Sequence, residues 1–258
     1  MSRIKEAFNG HKAFIPFITC GDPDIETTER TVRAAIENGA DLVELGIPFS
    51  DPTAEGPVIM EADRRALLAG TTTDGVFDLT RRLRKDFSTP FVYMTYANVI
   101  YSYGTEKFAD KAKEAGIDGI ILPDVPFEEK EEFEPVFGAR GIDLISMIAP
   151  TSKDRIGMIA KEARGFIYIV SSLGVTGTRT DITTDIGAMT EIIRKNTGVP
   201  CAVGFGISTP EQAKRMAALS DGAIVGSAII KLLAEYGKDA PDRVGEYVRE
   251  MAEAAHQA

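Results

Sequence analysis

Two carboxylates stand out for their setting. Glu44 sits inside an apolar run, 41–47, that ends in a Gly-Ile-Pro turn, and Glu55 follows in a loop rich in proline and glycine. If the run is a strand, Leu42, Glu44 and Gly46 share one face, while Val43, Leu45 and Ile47 make the other face purely aliphatic. An acid placed there is costly unless it is hydrogen-bonded or put to use. Its chemistry would be proton transfer, because burial raises a carboxyl pKa toward the range where one group both gives and takes a proton. A structural carboxylate satisfied by hydrogen bonds is the competing reading.

Elimination narrows the chemistry. The chain has two histidines, His11 and His256, both near its ends and neither at an expected strand end, so a His-ligated zinc site or a histidine base is not expected. None of the strand candidates carries a lysine for a Schiff base, and no Ser or Cys stands beside a base at a strand end. Carboxylates and neutral hydrogen-bond donors remain, with Tyr168 as a candidate neutral neighbour of Glu44. Phe17, Met94, Ile121, Phe205 and Ile224 are candidates for an apolar lining, although core packing is the ordinary use of such residues.

Positioning these groups needs a scaffold. Eight strand candidates, at 14–19, 41–47, 91–97, 118–123, 143–149, 166–172, 200–205 and 222–226, alternate with helical runs at 28–38, 75–86, 105–115, 128–138, 153–163, 185–196 and 210–219. Thr209 and Gln212 form a capping box with Pro210 at the first helical position. Eight alternations without a linker predict one domain over 1–258, an α/β fold of the (β/α)8 TIM-barrel type. Residues 2–8 and 241–256 read as extra capping helices at the two ends. A doubly wound sheet is disfavoured because Cys20-Gly21-Asp22-Pro23 after the first strand is no dinucleotide fingerprint.

In such a barrel, function gathers where strands end. Glycine loops follow strands six (174–180), seven (204–206) and eight (226–227), the last opening a short helix. Glycine lets backbone N–H groups approach an anion, and a helix N-terminus favours one, so a phosphate site is expected on this rim. Turn-forming glycine alone is the alternative. A net charge of −10 argues against nucleic acid as a partner. The start of the chain lacks an apolar signal region and no run is long enough to span a bilayer, so a cytoplasmic protein without membrane contact is expected. Cys20 and Cys201, both in apolar runs, read as buried free thiols.

The segments FIPFITCGDP, VELGIPFSDPTAEGP, YANVI, DVPFEE, SSLGVTGTR, GFGIS and VGSAII, in this order and nearly end to end, resemble the tryptophan synthase α-subunit family. The resemblance implies a retro-aldol lyase that cleaves indole-3-glycerol phosphate to indole and glyceraldehyde 3-phosphate. It implies no cofactor and no metal in this chain, and a pyridoxal-phosphate β subunit in an αββα tetramer, met through the strand 2 and 3 loops including Asn98. Glu44 matches the family's acid/base. Glu55 stands where the family usually has Asp, as support for the indole N–H. Phe17 and Tyr168 match indole-pocket positions, and Phe205, from the apolar-lining candidates, is expected to touch the substrate as well. Thr176, Gly177, Gly206, Gly226 and Ser227 match substrate and phosphate contacts. Asp51, Asp124 and Thr176 match residues that couple closing loops at 50–57 and 173–184. Rival readings are another phosphate-binding barrel enzyme, such as an isomerase or indole-glycerol phosphate synthase, and a regulatory subunit without catalysis.

Overall fold

The computed structural model describes residues 3–152, 155–171, 185–204 and 206–258. Its strands are β1 (Ala13–Thr19), β2 (Val43–Gly46), β3 (Phe91–Met94), β4 (Gly119–Ile121), β5 (Asp143–Leu144), β6 (Ser146–Ile148), β7 (Ile167–Val170), β8 (Cys201–Gly204) and β9 (Gly222–Val225). Every pairing is parallel, in the order β5-β4-β3-β2-β1-β9-β8-β7-β6. The fifth expected strand, 143–149, is thus split. Ile145 parts β5, bonded to β4, from β6, bonded to β7, and its own N–H still reaches the Ile120 carbonyl at 2.9 Å. Nine segments therefore make eight staves of a nearly closed barrel.

Alternation along the staves sorts the core into two layers. Ala13, Ile15, Leu42, Val92, Ile121, Ala202 and Ile224 fill the inside, while Phe14, Ile18, Val43, Leu45, Tyr93 and Val203 face the surrounding helices. The first turn of chain, Arg3–Phe8, is a 3-10 helix whose Ile4 and Ala7 join the inner layer. Helix Ala240–His256 packs along helices Ile25–Glu37 and Pro210–Leu219 through Val244, Val248 and Met251.

Side-chain caps open four of the eleven described α-helices. The Asp24 side chain accepts from the Thr27 N–H and begins its helix three residues before the expected 28. The Thr209–Gln212 capping box forms as expected. The run 128–138 breaks into a 3-10 helix, Phe127–Glu132, and a short α-helix, Glu134–Gly138, because Pro135 supplies no N–H and sits at a helix start. Two helices were not anticipated, Pro57–Leu68 and Ala97–Tyr103. The first follows Glu55 directly, with Gly56 as its N-cap and Pro57 in its first turn. Both cysteines are buried and free. No described helix is long and apolar enough to cross a membrane.

Candidate active site at the barrel mouth

Glu44 projects into the barrel from β2, flanked on its face by Leu42 and Gly46 and in register with Phe17 on β1. It is fully buried, and among the described residues neither carboxylate oxygen has a hydrogen-bond partner. Burial alone pushes its pKa up from 4.5 to about 8. The structural reading of this acid required satisfied oxygens, so the observed isolation favours use over support.

One cavity holds this carboxyl. It encloses about 620 Å³ of empty space, its open mouth included, and it opens at the C-terminal ends of the strands. Phe17, Met94, Tyr168 and Ile224 line it as expected, together with Ile59 and Met147; Ile121 stays in the inner core below. The Phe17 ring lies across Gly46, where an added Cβ would come within 2.6 Å of its Cζ, and beside Gly226. Glycine at 46 therefore makes room for an aromatic wall next to the acid. Gly204 does the same for Tyr168, since a Cβ there would overlap the phenol oxygen. Tyr168 is buried beside Glu44, and burial followed by the Glu44 charge keeps its hydroxyl protonated. Gly204→Ala is expected to displace Tyr168 and lower turnover roughly 10²-fold with the fold intact. Steady-state rates together with circular dichroism check this, and wild-type turnover in the alanine variant would remove Tyr168 from the site's required geometry.

Glu55 reaches the same cavity from the loop before helix Pro57–Leu68. It is buried, one of its carboxylate oxygens has no hydrogen-bond partner among the described residues, and its polar neighbours are Asp63 of that helix and Tyr96 at the end of β3. The Tyr96 hydroxyl also accepts from the Ala54 N–H at 3.3 Å, which holds the loop. Burial raises the Glu55 pKa, and burial with the adjacent Glu55 charge pushes Asp63 up to about 9. Two buried carboxyls in contact cannot both ionise easily, so the pair keeps a proton at neutral pH. The Asp63 helix is itself tethered, because Arg65 makes two 2.7 Å bonds to the buried Asp22 in the loop after β1.

Asp63 and Tyr96 were missed at the sequence level. Asp63 shares the buried stripe of Ile59, Ala62 and Ala66, an i, i+3, i+4, i+7 pattern in which one acid is out of place. Tyr96 opens YANVI, a segment noted for family likeness and given no role.

Gly206, with φ 82°, and Gly226 and Ser227, which begin helix Ser227–Tyr236, also line the cavity. They bring a helix N-terminus to it, the feature that favours an anion. Thr176, Gly177, Phe205 and the whole loop at 173–184 lie outside the described residues. Asp51 and Asp124 are exposed and belong to different loops. The Asp51 carboxylate accepts from Ser50 Oγ, and both Asp124 oxygens accept from the Ala97 N–H at 3.2 and 3.1 Å, heading helix Ala97–Tyr103.

Comparison with known proteins agrees with this architecture. The sequence profile of the tryptophan synthase alpha chain family matches residues 4–257. The tryptophan synthase alpha chain of Lactiplantibacillus plantarum is 48% identical over 255 residues, 98% of this chain and 96% of that protein. The Lacticaseibacillus casei alpha chain is 46% identical over 251 residues, covering 97% and 94%. A chain of Mycobacterium tuberculosis tryptophan synthase superposes with TM-score 0.90 at 30% identity, covering 99% of this chain and 98% of that one. The chain belongs to the tryptophan synthase alpha chain family.

Proposed function

We propose that this chain cleaves indole-3-glycerol phosphate to indole and glyceraldehyde 3-phosphate, with Glu44 as the acid and base and Glu55 as the acceptor for the indole N–H. The observation that carries the reading is Glu44 itself, a buried carboxyl without a hydrogen-bond partner among the described residues, at the mouth of an aromatic-lined cavity. Protonated Glu44 delivers its proton to indole C3, and the ring becomes an indolenium cation. Glu44, now ionised, accepts the proton of the glycerol hydroxyl on the carbon attached to C3. The C3–carbon bond breaks, its electron pair neutralises the ring, and the hydroxyl carbon becomes the aldehyde. Glu44 ends protonated, so no external base is consumed. A pKa near 8 suits a group that must act in both directions.

The cation forms beside Glu55, whose charge stabilises the ring nitrogen. Asp63 and Tyr96 flank Glu55, and the Glu55–Asp63 pair keeps one proton and one negative charge at neutral pH, which leaves a charge beside the ring nitrogen. Glutamate in place of the family's usual aspartate reaches one methylene further, between these two neighbours. Phe17 and Tyr168 flank the indole. Gly206, Gly226 and Ser227 take the phosphate with backbone N–H groups, with Thr176, Gly177 and Phe205 completing the site, and Asp51 and Asp124 couple the loops that close over it.

The cofactor of the overall synthesis belongs to the partner: this chain works without one and passes indole to a pyridoxal-phosphate β subunit in an αββα assembly in the cytoplasm. Exposed Asn98, on helix Ala97–Tyr103, stands on the face proposed to meet that subunit. The purified chain should release indole from indole-3-glycerol phosphate, faster when its β subunit is added. An absence of indole in both conditions overturns the reading.

A further inference from the structure

Both histidines of this 258-residue chain arrive at one aspartate. His11 precedes β1, His256 ends the C-terminal helix, and Asp41 stands just before β2. His11 Nε2 lies 2.7 Å from Asp41 Oδ1, and His256 Nε2 lies 2.8 Å from Asp41 Oδ2. The two rings meet edge to face with centroids 4.6 Å apart. The Phe14 N–H also donates to Asp41 Oδ2 at 2.8 Å, so the backbone of β1 fixes the carboxylate. This cluster lies at the N-terminal ends of the staves, at the end of the barrel opposite Glu44. Set apart in sequence, the two histidines are neighbours here, because ring closure of the barrel brings the two chain ends together.

We propose that His11, Asp41 and His256 form a binding site for a divalent transition-metal ion of the zinc type. Two imidazole nitrogens and one carboxylate are a ligand set suited to Zn²⁺ or Cu²⁺, whereas Mg²⁺ and Ca²⁺ prefer oxygen alone. One donor atom from each residue already lies within 4.8 Å of the others. A tetrahedral ion with bonds of about 2.1 Å spaces its ligands about 3.4 Å apart. Reaching that spacing asks the His–Asp distances of 2.7 and 2.8 Å to widen to make room for the ion, ring movements on the order of 1 Å that are within reach of two partly exposed side chains near the chain ends. The carboxylate stays put, because the Phe14 N–H holds one of its oxygens, as outer hydrogen bonds orient the ligands of metal sites.

Solvent supplies the remaining ligand. His11 and His256 line an open polar cavity with Asp221, and the nearby cations are already engaged there. Lys12 Nζ bonds the Ser220 carbonyl at 2.6 Å, and Arg194 bonds Asp221 at 3.2 Å. Their charge is thus partly offset next to an incoming dication. The ion would tie the loop before β1 and the last turn of the C-terminal helix to the start of β2. Its role is to fasten the ends of the chain, apart from the chemistry at the mouth.

The test is calorimetric titration of chelator-treated full-length protein with ZnCl₂ at neutral pH, with thermal unfolding followed in parallel. One equivalent should bind saturably and raise the unfolding temperature. His11→Gln and His256→Gln should each weaken binding by roughly tenfold or more, and the double variant should show neither saturation nor the thermal shift. Co²⁺ substitution should give weak visible bands without thiolate charge transfer, which separates this site from Cys20 and Cys201. Indole release should be unchanged in both single variants without metal, so this outcome is independent of the proposed reaction. Absence of saturable binding, or equal Zn²⁺ affinity in the double variant, overturns the proposal.

Discussion

Glu44→Gln should stop indole release, by roughly 10²–10⁴-fold or to the detection limit, while phosphate-bearing ligands still bind. The amide keeps the shape of the carboxyl and cannot deliver the proton. The same substitution should stabilise the fold in neutral and alkaline solution. Glu44 has its folded pKa raised by burial, from 4.5 to about 8. Between those values the folded chain holds a proton that the unfolded chain has released. Wild-type stability therefore falls as pH rises through this window, by up to about 1.4 kcal/mol per pH unit, and levels off above pH 8. The glutamine variant lacks that slope, so its advantage should reach about 5 kcal/mol above pH 8 and vanish below about pH 4.5. Urea unfolding across pH measures the difference. A variant that is inactive yet no more stable at pH 8 would mean that Glu44 is solvated or paired in solution. Near-normal turnover would end its assignment as the acid.

The second large effect belongs to the Glu55–Asp63 pair. Glu55→Ala removes the charge beside the ring nitrogen and should lower turnover by roughly 10²-fold, whereas Glu55→Asp should stay active. Asp63→Ala should cost roughly 10- to 100-fold, the worth of a hydrogen bond to a charged group. Asp63→Asn, which still offers an N–H donor to Glu55, should recover most of that loss. Asp63 is pushed up to about 9, so the folded pair again holds a proton that the unfolded chain gives up near pH 4, and stability declines as pH rises between the two. The asparagine variant should flatten that decline by about 1.4 kcal/mol per pH unit in the same window. The groups facing Asp63 are Glu55, Tyr96, Asp22 and the Cys20 thiol; burial pushes that thiol well above its ordinary range, which leaves the pair to titrate first. If alanine and asparagine at 63 give equal kinetics, Asp63 is packing alone.

Much of this was readable before any coordinates. Period-two alternation placed Glu44 on the inner face with Leu42, because a strand has one choice of face once its aliphatic side is known. Eight strand–helix alternations were enough for the barrel. Contacts made between elements were less accessible. Asp63 meets Glu55 only after the unanticipated helix Pro57–Leu68 turns back over its own entry loop, although an acid in an apolar stripe was visible. His11 and His256 looked irrelevant because they are far apart in sequence, and a closed ring makes them neighbours. The break at Ile145 falls just before Ser146, a single polar residue too weak a signal to divide the run in sequence. Of the residues assigned by family likeness, Thr176, Gly177 and Phe205 lie outside the described residues.

The 3-10 turn at the start of the chain has a consequence for traffic. Ile4 and Ala7 sit among Ile145, Phe166 and Leu42, and Ile4 Cδ1 comes within 3.1 Å of the Cβ position at both Gly119 and Gly165. The barrel is thus corked at its base, a cup and not a pipe. Whatever forms at the mouth departs through the opening by which the starting material came in. On the proposed function, a receiver for a released aromatic ring would stand against the rim, and lengthening or trimming the cork should leave the route of delivery untouched.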